Sequence, residues 1–394
     1  MQQLILTLAL ALATTLASPT LGQDPFGASK AARAKAAATQ VPSKFRNLVG
    51  RRVLVIEEGA EIRTREAGVV WKAYLGEVMT ISRANGDWIW SFDRGGWMEG
   101  RLVTPFETAV FEMNQRLKTS RSTDNFALRG ITYMAHHRYK DAITDFNEVI
   151  RRNQNDPGAY VNRGNAYRSL GNQKKAIADY SRALELDRDH FHALNNRGLA
   201  HTSLKRYDRA LLDLQSAILL NPKFAEAFNN RGVVYLEQNQ TDAAIKEFST
   251  AIDLYPRYLM AYRNRAVALQ KKREHKKVLA DLSKCVTLAA NDEEVLNDYA
   301  WFLATCEDDE LRDGEKALEY ARAAGKLSDF KTWNVLDTYA VAHAEAGQFA
   351  EALKWGRKAL AAAPADSKAE VQQHLAAFRR RKPVRETSST AASQ

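Results

Sequence analysis

Residues 157–190 read PGAYVNRGNAYRSLGNQKKAIADYSRALELDRDH, and residues 225–258 read AEAFNNRGVVYLEQNQTDAAIKEFSTAIDLYPRY. Set in register, their small, aromatic and amide positions coincide. Gly130, Gly164, Gly198 and Gly232 lie 34 residues apart, and Ala142, Ala176, Ala210 and Ala244 keep the same interval. So do Asn162, Asn196, Asn230 and Asn264. A fixed period of this size marks an array of stacked supersecondary units, each burying its apolar face against its neighbours.

Each unit reads as two helices, A and B. The units run 123–156, 157–190, 191–224, 225–258, 259–292, 293–332 and 333–366. The small residue at position eight of helix A and the alanine at position twenty, on helix B, let the two axes approach closely. Tyr133, Tyr167 and Tyr235 on helix A, and Phe146, Tyr180 and Phe248 on helix B, fill the complementary space. Pro222 and Pro256 follow helix B, where proline cannot continue a helix. Val278 replaces the helix B alanine in the fifth unit. The sixth unit has six extra residues, in an acidic turn around 307–314 that reads as a surface bulge.

This pattern resembles the tetratricopeptide repeat, over about 244 residues. It departs from the family at position seven, which is Arg129, Arg163, Arg197, Arg231 or Arg265 where leucine is frequent. The resemblance implies an α-solenoid whose A helices line a concave surface that holds a protein or peptide segment. The residues expected to face that surface are Asn162, Asn165, Asn195, Asn196, Asn229, Asn230, Asn264 and Asn297, with Arg168 and Arg263. An amide both donates and accepts, so one per repeat can follow an extended backbone regardless of side chain. The arrangement is similar to the asparagine ladder of O-linked N-acetylglucosamine transferases, whose catalytic domain has no counterpart here. The alternative is that the amides serve packing and local hydrogen bonds. Arg168, Arg263 and Lys271 are too dispersed among the units to resemble a carboxylate clamp.

Residues 45–105 change character. Val53–Ile56, Val69–Trp71, Val78–Ile81, Trp88–Phe92 and Gly96–Met98 read as five short strands, with Glu58-Gly59-Ala60 and Asn85-Gly86 as turns. The stretches Gly86-Asp87-Trp88-Ile89-Trp90 and Gly96-Trp97-Met98 resemble bacterial SH3-like domains, which implies a small β-barrel. Members of that family bind cell-wall peptides or proteins, and some only pack against neighbouring domains. Trp88, Trp90 and Trp97 are the candidate aromatic face, with core packing as the alternative. The fold expected is therefore mainly α: a tetratricopeptide-repeat α-solenoid preceded by an SH3-like barrel.

The flanks complete the organisation. Residues 1–22 contain an uncharged apolar run, Leu4 to Ala17, of signal-peptide length, which places the mature chain in the periplasm, in the cell envelope or outside the cell. An uncleaved anchor is the alternative; no later run is long enough to span a membrane. Residues 23–44 read as an Ala/Lys-rich linker, 106–122 as a connecting helix, 367–382 as a capping helix and 383–394 as a disordered tail. Nine units of the net charge of +10 lie outside the repeats, since from 123 to 366 35 basic residues oppose 34 acidic ones. A nucleic-acid groove needs a basic folded stripe, and this distribution argues against one. No phosphate loop, nucleophile elbow or metal-ligand spacing is present, so no catalytic residue, metal or cofactor is expected. Cys285 and Cys306 lie on neighbouring helices as either a disulfide or two separate thiols. Together these readings point to an exported, non-catalytic interaction scaffold. The alternatives are a cell-wall factor anchored through the barrel and an accessory subunit of an extracytoplasmic enzyme complex.

Overall fold

The structure, a computed structural model, describes residues 45–57, 60–64, 68–73, 77–85, 87–91 and 96–386. The apolar run read as a signal, the linker at 23–44 and residues 387–394 lie outside them. The chain divides into two compact bodies, one ending at Leu220 and the other beginning at Asn221. Among the described residues no helix is long and apolar enough to cross a membrane.

The first body begins with an antiparallel sheet. Its strands are β1 (Arg52–Val55), β2 (Ala60–Thr64), β3 (Gly68–Ala73), β4 (Val78–Asn85), β5 (Trp88–Ser91), β6 (Gly96–Glu99) and β7 (Val103–Pro105). Their order is β3-β2-β6-β5-β4-β1-β7. Two of these are additional to the five expected strands. Ala60 does not sit in a turn but begins β2, with Ala60 and Ile62 buried in alternation. Its charged residues had masked that alternation. β7 is three residues long and ends at Pro105 opposite Val53, an edge position where the missing N–H costs no ladder bond. Val53, Val55, Ile62, Met79, Ile81, Ile89 and Met98 form the apolar centre.

After a single 3-10 turn at Phe106–Thr108, α1 (Ala109–Thr119) starts the helical array. Met113 of α1 packs with Ile56 beside the sheet and Leu128 of the next helix. The Phe106 ring stacks on His136 at 4.1 Å. These contacts join the sheet to the first repeats within one body. The body continues through α2 (Thr123–Ala135), α3 (Tyr139–Arg152), α4 (Pro157–Ser169), α5 (Gln173–Leu186), α6 (Phe191–Ser203) and α7 (Tyr207–Leu220). The second body comprises α8 (Ala225–Glu237), α9 (Thr241–Leu254), α10 (Leu259–Lys271), α11 (His275–Leu288), α12 (Glu293–Thr305), α13 (Gly314–Leu327), α14 (Trp333–Glu345), α15 (Phe349–Ala362) and α16 (Lys368–Arg379).

Within the first four pairs the glycine is required by distance. A Cβ at Gly130 would lie 2.7 Å from the Phe146 ring, and one at Gly164 or Gly232 would lie 2.6 Å from Tyr180 or Phe248. At Gly198 it would meet Leu214 at 2.9 Å. The alanines at 142, 176, 210 and 244 are fully buried.

The arginine at position seven, where the sequence departs from the common pattern, holds the pair together. Each guanidinium forks onto a carboxylate of the following helix. Nε donates to Asp145, Asp179, Asp213 and Asp281 at 2.8 Å from Arg129, Arg163, Arg197 and Arg265, and to Glu247 at 3.1 Å from Arg231. Nη1 of Arg129, Arg163, Arg197 and Arg265 donates the other way, to Asn114, Asn147, Ser181 and Ser249 on the preceding helix. One side chain thus ties three successive helices. The four aspartates are buried and Glu247 nearly so, and this is tolerable only because each receives a bidentate, charge-assisted pair.

The turns inside the pairs have a second regularity. His137, Lys205, Asn239 and Arg273 adopt φ between 54° and 59°, and Gly171 and Gly347 occupy the same place with φ of 76° and 75°. The following N–H reaches back over the turn in each case, as Arg206 N does to His201 O at 2.9 Å. This is a left-handed helix C-terminus, which glycine satisfies without Cβ strain.

In the second body the acidic turn expected to bulge into solvent is fastened inward. Arg312 donates to the carbonyls of Cys306 and Glu307 and to Glu345 of α14. Cys285 and Cys306 are buried free thiols, and burial pushes the Cys285 thiol up to about 12. After α16 the chain reverses at Arg381, where φ is 54°. Residues 383–386 then lie against α10, α12 and α14, correcting the expectation that disorder begins at 383. Their partners are remote in sequence, so local composition could not show them.

Two outcomes are expected from stability measurements. Asp145→Ala leaves the Arg129 guanidinium half-buried without its fork partner and should lower urea stability by about 3 kcal/mol; Arg129→Met with Asp145→Leu should recover most of the loss. Lys205→Gly should raise stability by about 0.5–1 kcal/mol, seen as a higher melting temperature, because it removes left-handed strain.

Candidate functional site

The residues expected to line the groove all lie on the first helices of the pairs. They are amides and cations spaced so that several reach the next first helix. The structure shows what each of them bonds.

In the first body the amides of α4 and α6 form one chain. Asn165 accepts from the Tyr180 hydroxyl at 2.8 Å and from Asn196 Nδ2 at 3.0 Å; Asn196 in turn accepts from Asn195 at 3.2 Å. Asn195 is buried, and Asn165 and Asn196 are half-buried. Burial pushes the Tyr180 phenol up to about 12, so it stays a neutral donor throughout the physiological range. Arg168 lies beside Tyr180, and its Nε is buried with no hydrogen-bond partner among the described residues. Asn162 is half-buried on α4.

In the second body the same logic connects α8 and α10. Asn229 donates to Asn230 at 3.3 Å and accepts from Asn264 at 2.8 Å. Asn264 and Asn297 are both buried, and the Oδ1 of each has no partner among the described residues. A buried acceptor without a donor costs about 1–3 kcal/mol, so a donor brought by a ligand would be favoured at these two positions.

Arg263 is differently placed from the expectation that it grips a ligand. Its guanidinium donates to Asp298 at 2.8 Å and to Glu294 at 3.0 Å on α12. Burial alone would lower its pKa, but the two carboxylates outweigh that and hold it above its usual value. Two carboxylates on one cation leave this spot negative on balance, which suits no anionic chain end.

The three tryptophans on the sheet divide. Ile89 points into the core, so Trp88 and Trp90 take the other face, as the alternation required. Trp90 and Trp97 meet edge to face at 5.4 Å, half-buried against each other. Trp88 remains 38% exposed. Among the described residues no group of His, Cys, Asp and Glu could hold a metal ion.

Sequence reasoning missed two features of these helices. The first is that the amides bond one another from one repeat to the next. Their spacing of about one repeat was the available signal, since 165 to 196 and 229 to 264 are each near 34. The second is the contact of residues 384–386, for which no signal was present.

With this geometry in hand, comparison with known proteins is informative. Residues 157–190 and 225–258 match the tetratricopeptide repeat, and residues 198–239 match a TPR repeat family. No curated protein matches the chain's sequence. Among solved structures it is similar to the Tom70 protein of yeast, with 17% identity and a TM-score of 0.52 over 70% of this chain and 58% of that one. It is also similar to a chain of the APC/C hetero-tetramer Cut9-Hcn1, with 18% identity and a TM-score of 0.51 over 60% of this chain and 46% of that one. The chain thus spans less than two thirds of either, and the likeness concerns the fold. Family match, helix pairing and small-residue register agree: the helical part of this protein is a solenoid of tetratricopeptide repeats.

Proposed function

We propose that this protein is an exported, non-catalytic scaffold that binds an extended protein segment along the first helices of its repeats. The observation that carries the reading is the pair of buried, unpartnered acceptors, Asn264 Oδ1 and Asn297 Oδ1, in a line of amides otherwise bonded to each other. The backbone N–H groups of an extended chain supply donors at such places without regard to sequence. The near-neutral charge balance of the repeats supports amide rather than cationic recognition. The apolar run at 4–17 supports export, to the periplasm, the cell envelope or the medium.

An array of extended peptides tests this. Asn297→Ala should weaken retention about tenfold, the worth of one hydrogen bond of about 1.4 kcal/mol. It should not lower the melting temperature, because Oδ1 has no hydrogen-bond partner among the described residues. A lower melting temperature with unchanged retention would assign the amide to the scaffold instead.

The exposure of Trp88 favours a second reading, in which the N-terminal sheet is an SH3-like domain that contacts cell-wall material. Purified sacculi should then retain the full chain and lose the Trp88→Ala variant. Equal retention of both, or of neither, would leave the sheet a packing element and the enzyme-accessory reading unsupported by it.

A further inference from the structure

The chain's own C-terminal segment occupies the first helices of the last three repeats. Lys382 N and Arg381 N bond back to the carbonyls of Ala377 and Phe378, both at 3.0 Å, which reverses the chain at the end of α16. Pro383 prevents the helix from resuming. Val384 then packs on the apolar cluster that includes Trp301 and Phe378. Arg385 donates to Glu345 of α14 and to the carbonyl of Val384. Glu386 N donates to Thr305 O at 3.0 Å, one of the carbonyls that a helix end leaves without an intrahelical partner. The Glu386 carboxylate accepts from Gln270 of α10 and from Trp301 of α12.

Three successive residues therefore meet three successive first helices, through an apolar contact, a guanidinium–carboxylate pair, and a carboxylate held by neutral donors. The cradle does not depend on the tail for its charge balance. Glu345 is already paired with Arg312 at 3.0 Å and so keeps a cation when Arg385 leaves. The tail's own hold is modest. Its contacts come from residues 384–386, and burial pushes the Glu386 carboxyl above its usual range, so its charged form is costly there.

We propose that residues 383–386 are an exchangeable intramolecular ligand of a peptide site on α10, α12 and α14, and that the site's partner is a protein segment presenting an apolar, a guanidinium and a carboxylate side chain in succession. The proposal rests on the reading that the first helices bind extended peptide, and it names the segment chemistry for the last three repeats. A partner must displace the tail, so the free protein binds such segments more weakly than its site would allow.

The test uses the full chain carrying Val384→Ser, Arg385→Ala and Glu386→Ala, beside the unaltered chain. The probe is a fluorescein-labelled peptide of residues 383–388, amidated at its C-terminus, read by anisotropy. The altered chain should bind the probe at least tenfold more tightly than the unaltered one. A probe with the Arg385 and Glu386 residue types exchanged should bind neither. Equal affinity of both chains, or no binding by a folded altered chain, would overturn the proposal. Hydrogen exchange on the unaltered chain is the second readout. The Glu386 amide, which donates to Thr305 O, should be protected, and Gln270→Ala should reduce that protection; unprotected exchange there overturns the proposal even where the altered chain fails to fold. Failure here with the Asn297 effect intact would remove only the tail. Loss of the Asn297 effect with tail displacement intact would leave a groove that reads side chains rather than backbone.

Discussion

The close approach of each first helix to its partner is the constraint on which the helical part depends. At position eight a hydrogen atom stands where any side chain would enter the ring of Phe146, Tyr180 or Phe248, or the Leu214 side chain. That contact sets the axis separation within a pair, and the separation decides which other side chains can reach across. The Arg–carboxylate forks require it, since a bidentate pair tolerates little change in distance. So does the full burial of the alanines opposite.

Three consecutive residues of the first helix then divide the work. Asn-Arg-Gly recurs at 162–164, 196–198 and 230–232, with Asn-Arg-Ala at 264–266. Successive helical residues point about 100° apart. The glycine faces the second helix of its own pair. The arginine forks onto that helix and also reaches the one before. The asparagine faces along the row of first helices, where Asn196 meets Asn165 and Asn264 meets Asn229. Packing, pairing and the candidate ligand surface are therefore coupled by adjacency in the chain. A shift of helix A that relieved a clash at the glycine would move the amide as well.

This division explains what was legible in the sequence. The glycine and alanine rungs were, because their meaning is local: a small residue at a fixed interval has only one packing use. The positions of the amides were legible too, but not their bonding, since an Asn at solvent and an Asn bonded to the next repeat look alike in one chain. The arginines stood out only as departures from the usual leucine. Their carboxylates, sixteen residues on, lay among other charges of the second helices and carried no mark of their own. On the sheet, β2 and β7 were missed because Glu61, Arg63 and Pro105 speak against strands, while pairing to β3, β6 and β1 overrides that preference. Arg263 was misassigned because nothing nearby in sequence announces Asp298.

The sixth repeat shows where a regular solenoid acquires individuality. Its six extra residues interrupt the period, and Arg312 within them reaches Glu345 of the next unit. In the regular repeats the position-seven arginines fork onto a carboxylate of their own pair, whereas Arg312 reaches a carboxylate of the following unit. It holds a carboxylate on a first helix, near the Thr305 carbonyl at the end of α12 and the indole of Trp301, all three engaged by residues 384–386. A surface of repeated amides can hold any extended backbone but discriminates poorly, because every rung offers the same groups. An anion, an apolar platform and a neutral donor in fixed order discriminate well. Specificity in such a protein thus arises where the period breaks, and the regular repeats on either side contribute reach.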